Sequence, residues 1–151
     1  MSKLNFNFYE LSLGGQLLIW SSRLIYFGKK NKIDNSYLVN MAYLKAKVID
    51  GYKLQYKLLS SIINNNNDFR LMQIHHKDLN KDEILLTHCI LDFSRENFYS
   101  RDYLSIWKLE KNSIKFFICV KDLSIAYKKA NLFGKNNNSE NIYSLNKTLL
   151  N

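Results

Sequence analysis

A chain of 151 residues with no proline and only five glycines has few positions at which a helix is obliged to stop. Proline removes a backbone donor and clashes with the preceding turn, and glycine supplies the left-handed geometry in which many helices end. The breaks must come from other residues. Asparagine suits the task, because its side chain bonds nearby backbone and tolerates left-handed geometry. Asn64 to Asn67 and Asn136 to Asn138 are two such runs.

Between the breaks, apolar residues return at helical spacing. Leu13, Leu17, Trp20, Leu24 and Phe27 form one stripe, with Ser12 placed as its N-cap and Gly28 where a glycine would end it. The pattern predicts a helix over residues 13–27. A longer pattern covers residues 37–63, through Leu38, Met41, Ala42, Val48, Ile49, Tyr52, Tyr56, Leu59 and Ile63. Lys47, Lys53 and Lys57 mark its wet side. Gly51 interrupts it at a cost of about 1 kcal/mol relative to alanine, so it either admits a close helix crossing or divides two shorter helices.

The strongest local signal is Asn80 with Glu83, spaced as a reciprocal capping box and flanked by Leu79 and Ile84 as a hydrophobic staple. It starts a helix near Lys81 that continues through Leu85, His88, Cys89 and Leu91. Ser100 is placed to cap a short helix carrying Tyr103, Leu104, Ile106, Trp107 and Leu109. Residues 114–132 read as a last main helix, with Phe117, Val120, Tyr127 and Ala130 on one face and Gly134 as its end. Residues 69–76 fit a strand or a helical turn and a half, and residues 114–120 are rich enough in β-formers to compete as a strand. Leu4, Phe6 and Phe8 alternate with asparagine, as a short strand or extended arm would.

These patterns predict one all-α domain over residues 1–151, a compact bundle of four to six helices, with 134–151 as a C-terminal extension. The alternative is an α+β fold with a strand pair from residues 4–8 and 70–75.

The formal charge of +9 favours anionic company. Lysine far outnumbers arginine and asparagine is abundant, which an AT-rich coding sequence produces without any selection for binding. Lys29, Lys30 and Lys32 cluster after one predicted helix, and Lys128, Lys129 and Lys135 near another, with Tyr26, Tyr37 and Tyr127 close in sequence. Joined by the fold, they would make a phosphate-backbone contact. The dipole favours lysine at helix C-termini, so each cluster also has a structural reason. Arg23, Arg70, Arg95 and Arg101 are the arginines, too few to favour base-specific readout.

Chemistry is poorly signalled. His75, His76, His88 and Cys89 are zinc-competent residue types, but adjacent side chains diverge and no paired-cysteine spacing accompanies them. Cys119 sits among apolar residues, where a thiol is inert. Asp92 with Glu96 is the closest approach to a carboxylate pair, and Arg95, Glu96, Arg101 and Asp102 read as surface ion pairs. Gly14-Gly15 lacks the rest of a phosphate-binding signature and reads as close backbone packing. No metal ligand, cofactor or catalytic residue is expected.

The expectation is a non-enzymatic helical interaction or adaptor subunit, whose partner is another protein or a second copy, with Trp20, Tyr99, Tyr103 and Trp107 as aromatic anchors. A nucleic-acid-associated protein using the lysine clusters is the alternative. The apolar run at 17–20 is too short for a membrane span, and asparagines interrupt the first eight residues, so a cytoplasmic location is expected.

Overall fold

The computed structural model describes residues 6–94 and 106–132. A two-residue strand β1 (Phe6–Asn7) leads through a 3-10 turn at Phe8–Glu10 into helix α1 (Leu13–Asn31). Helices α2 (Ser36–Ala46) and α3 (Gly51–Asn65) follow, then strand β2 (Asp78–Leu79) and helix α4 (Lys81–Ser94). A 3-10 turn at Glu110–Asn112 opens directly into helix α5 (Ser113–Lys129).

The chain is a helical bundle in which α5 packs against both α3 and α4, while α1 touches α2, α3 and α4. Leu18, Leu58, Leu59, Ile62, Leu86, Phe116, Val120 and Leu123 are fully buried in the main core. A smaller cluster of Leu11, Ile19, Leu79 and Ile84, with Phe6 and Phe8 against it, closes one side. Beneath it β1 and β2 pair antiparallel, Phe6 opposite Leu79 and Asn7 opposite Asp78. The N-terminal strand is thus where the alternation places it. Its partner is 78–79 rather than 70–75. Residues 69–77 take no regular structure, and side chains from elsewhere meet part of their backbone.

Ser12 caps α1 as expected, its Oγ accepting from the Gly15 N–H at 3.1 Å. The apolar stripe expected for α1 meets the core in part: Leu24 is buried, and Leu17 and Trp20 pack against it. Leu13 and Phe27 are exposed, while Leu18, Ile19, Ser21, Ser22 and Ile25 are buried. Neighbours on three sides bury more than one stripe of this helix, so spacing alone does not select the inner face. Gly28 does not end α1, which runs on to Asn31. Gly28 provides close approach instead: a Cβ there would collide with the Ile33 carbonyl oxygen as the chain folds back.

Gly51 fulfils both readings of the second pattern. It is the first residue of α3, and its missing side chain leaves room for the Tyr43 ring, whose Cγ would lie 2.5 Å from an added Cβ. Residues 114–120 are helical, the first half of α5. That helix ends at Lys129, before Gly134.

The scarcity of glycine leaves a visible trace at the helix ends. Lys32, Lys47 and Asn131 occupy left-handed conformations after α1, α2 and α5, at φ of 56°, 63° and 58°. Two of these ends are closed by the same double bond pattern. Val48 N–H donates to Tyr43 O and Lys47 N–H to Leu44 O, and Leu132 N–H donates to Tyr127 O and Asn131 N–H to Lys128 O. Glycine commonly fills this position, since a Cβ there costs roughly 1–2 kcal/mol.

Candidate functional site

The capping box forms as its spacing requires. Asn80 Oδ1 accepts from the Glu83 N–H at 2.9 Å, and Glu83 Oε1 accepts from the Asn80 N–H at 3.1 Å. Glu83 does more than cap. Its carboxylate, fully buried, accepts from Arg23 Nε at 2.6 Å, from Arg23 Nη2 at 3.1 Å and from the Met72 N–H at 3.1 Å. Arg23 also donates to the carbonyls of Ile74, His76 and Asp78. A charged pair inside the fold thereby holds the irregular 69–77 segment against α1 and α4. Asn80 Nδ2 donates to Arg70 O, and Asp82 accepts both the Arg70 N–H and the Trp107 indole N–H. Nothing in the spacing of Arg23 and Glu83, sixty residues apart, signals their meeting.

A second buried network joins four helices. Tyr43 O–H donates to Gln55 Oε1 at 2.6 Å, and the Tyr43 and Tyr127 hydroxyls lie 2.7 Å apart. Gln55 Nε2 donates to Ser22 Oγ and to Leu18 O. Burial raises both phenols well above the ordinary tyrosine range. These groups are satisfied and shut away from solvent, so they fix the alignment of α1, α2, α3 and α5 rather than meet a substrate.

On the surface of the described residues, two features bear on binding. The first is the outward side of α2. Val39 and Tyr43 face the core, and Tyr37, Met41 and Leu44, at i, i+4 and i+7, face away. Tyr37 is 72% exposed and Leu44 73%. Leu38 is also exposed beside them, and Ile49 just beyond the helix is 78% exposed. The second feature is a cleft of about 610 Å³ where the end of α1, the α1–α2 turn and α3 meet. Lys29, Lys30, Lys32, Asp34, Tyr52 and Tyr56 are among the residues that line it. Lys29 Nζ stands 3.2 Å from Ser60 Oγ and 4.7 Å above the Tyr56 ring. Lys30 Nζ lies 5.6 Å from the Tyr26 ring centroid.

The residues singled out in the sequence do not all gather. Lys29, Lys30 and Lys32 share the cleft. Lys128 and Lys129 are exposed at the end of α5, where Leu132 packs on Gly14 at the start of α1. Fifteen helical residues, roughly 22 Å, separate Gly14 from Lys29, so Lys128 and Lys129 stand apart from the cleft lysines. Gly14 is thus a site of close backbone packing. Tyr127 is buried and cannot accompany the lysines at a surface. Trp107 is fully buried and packs edge-to-face on Phe69 and Phe116, which removes it as an exposed anchor. Trp20 is half-buried against the main core. Lys135, Tyr99, Tyr103, Ser100, Arg95, Glu96, Arg101 and Asp102, and the side chain of Asp92, lie outside the described residues.

His75 is exposed, while His88 and Cys89 are fully buried in α4. No group of three or more His, Cys, Asp or Glu side chains among the described residues is placed to hold a metal ion. Cys119 is buried, and desolvation raises its thiol above the usual range. No helix among the described residues is long and apolar enough to cross a membrane. No family model matches the chain, and no curated protein or solved structure matches it.

Proposed function

We propose that this chain is a non-enzymatic interaction or adaptor subunit that docks through the outward face of α2. The observation that carries this reading is the stripe of Tyr37, Met41 and Leu44 on the side of α2 turned away from its own core. Apolar anchors at i, i+4 and i+7 are the pattern by which a helix is read by a partner groove or helix. Burying a side chain of this size is worth roughly 1.5–3 kcal/mol, enough for three of them to matter to affinity.

The partner is an amphipathic helix of another protein with acidic residues beside its apolar stripe. Lys45 and Lys47 are exposed next to the α2 stripe, and the chain carries a formal charge of +9, which disfavours a second copy as the occupant. Contact with a nucleic-acid backbone is the weaker reading, because Lys128 and Lys129 stand at the other end of α1 from Lys29, Lys30 and Lys32.

The test places a photo-crosslinking amino acid at Leu44 in cells. The expected product is a covalent adduct to an acid-flanked helix of one protein, abolished by Tyr37→Asp, with the fold unchanged by circular dichroism. Adducts that survive Tyr37→Asp, or that map only to another copy of the chain, overturn the proposal. Binding to RNA that collapses with added salt while no protein adduct forms also overturns it.

A further inference from the structure

We infer that the cleft between the end of α1 and α3 is a binding site for a small organic diphosphate, with the phosphates on Lys29, Lys30 and Lys32 and the body of the molecule against Tyr52 and Tyr56. Four observations converge on it. The cleft measures about 610 Å³, within the range of small-ligand pockets. Three ammonium groups from four consecutive positions line it, and Asp34 is the carboxylate among its lining residues, leaving an excess of two positive charges. Hydrogen bonds from Ser36 hold the Asp34 carboxyl below the usual range, so this subtraction is complete at neutral pH. A concave wall concentrates the field of such an excess and selects a compact polyanion over a monovalent ion.

The cleft is built by the local fold rather than by stray side chains. Close approach of Ile33 to Gly28 turns the chain back, and Asn35 Nδ2 fixes the turn by donating to Leu24 O at 2.9 Å. Lys32 is set by its left-handed backbone at the end of α1. Lys29 is half-buried and steadied by Ser60 and Tyr56. The Tyr52 and Tyr56 rings line the same cleft 5.7 Å apart, inclined at 37° with Lys29 Nζ over Tyr56, and offer aromatic surface beside the lysines to a planar group. A phosphate on the lysines and a ring on the tyrosines together describe a nucleoside diphosphate or a molecule of that shape.

The experiment titrates the full chain with ADP and with inorganic pyrophosphate by calorimetry at low salt. The expected result is one ADP per chain, displaced by pyrophosphate. Combined Lys29→Gln, Lys30→Gln and Lys32→Gln should weaken ADP at least about tenfold. Lys128→Gln with Lys129→Gln, at the far end of α1, should leave it unchanged. Tyr52→Ala, which leaves the Tyr56 support of Lys29 in place, should weaken ADP while sparing pyrophosphate, and this single variant keeps the test sharp if the triple variant unfolds. Absence of binding by both probes up to about 1 mM overturns the inference. So does equal loss in the two lysine variants, which would mark charge alone, and so does binding confined to single-stranded RNA.

Discussion

Replacing Glu83 by alanine removes one acceptor from four donors at once. Arg23 loses both its carboxylate contacts, and the amides of Met72 and Asn80 lose their partner. Arg23 is only 1% exposed, so its charge cannot turn to water. Leaving one member of a buried pair uncompensated costs about 3–5 kcal/mol. The carbonyls of Ile74, His76 and Asp78 still face the guanidinium and keep the loss within that range. A domain of this size has a total stability of about 5–15 kcal/mol, so the variant should be visibly crippled. At roughly 2–4 °C per kcal/mol, its melting temperature should fall by about 6–20 °C. Urea unfolding followed by far-UV circular dichroism measures the loss directly. Arg23→Met combined with Glu83→Leu removes both charges and should fall less than the sum of the two single variants. A loss below about 1 kcal/mol for Glu83→Ala would place the pair among solvated ones and refute the reasoning.

Two further outcomes follow from the interior and from the helix ends. Tyr43 and Tyr127 hold their protons to higher pH when folded than the value near 10 of a free phenol. Above about pH 10 the folded chain therefore binds more protons than the unfolded one, and stability should fall with rising pH by about 1.4 kcal/mol per unit for each phenol. Below that pH their contribution is complete and flat. Urea midpoints between about pH 9 and 11.5 measure the slope, which Tyr43→Phe should make shallower. Lys47→Gly should raise stability by about 0.5–1 kcal/mol, because the left-handed position at φ 63° then carries no Cβ. A lowered melting temperature would contradict this.

The local signals were legible because they involve only neighbours in the chain. The Ser12 cap and the Asn80–Glu83 box act within three residues, so their chemistry does not wait for the fold. Gly51 was legible only as a choice between a break and a close crossing, because its contact with the Tyr43 ring is made between two helices. The faces of the helices were not legible. In α2, Leu38 and Met41 belong to the expected apolar pattern, yet Val39 and Tyr43 meet the core. A helix apolar on both sides gives no phase, and its outward stripe became visible only once the inner side was known. Trp107 read as an exposed anchor, and its burial against Phe69 and Phe116 places it in the core instead.

The sequence alone determined a helical chain, because without proline and with little glycine its apolar residues repeat with helical spacing between asparagine-rich breaks. It also determined where α1 and α4 begin, since capping is a bond between near neighbours. Tertiary structure alone decided which breaks were sharp, through lysines and an asparagine driven into left-handed geometry where glycine was lacking. It alone brought Arg23 to Glu83, Tyr43 to Tyr127, and the Lys29 cluster to the tyrosines of α3, while leaving Lys128 and Lys129 at the far end. Those pairings join residues distant in sequence, and their energies come from burial that no local spacing records.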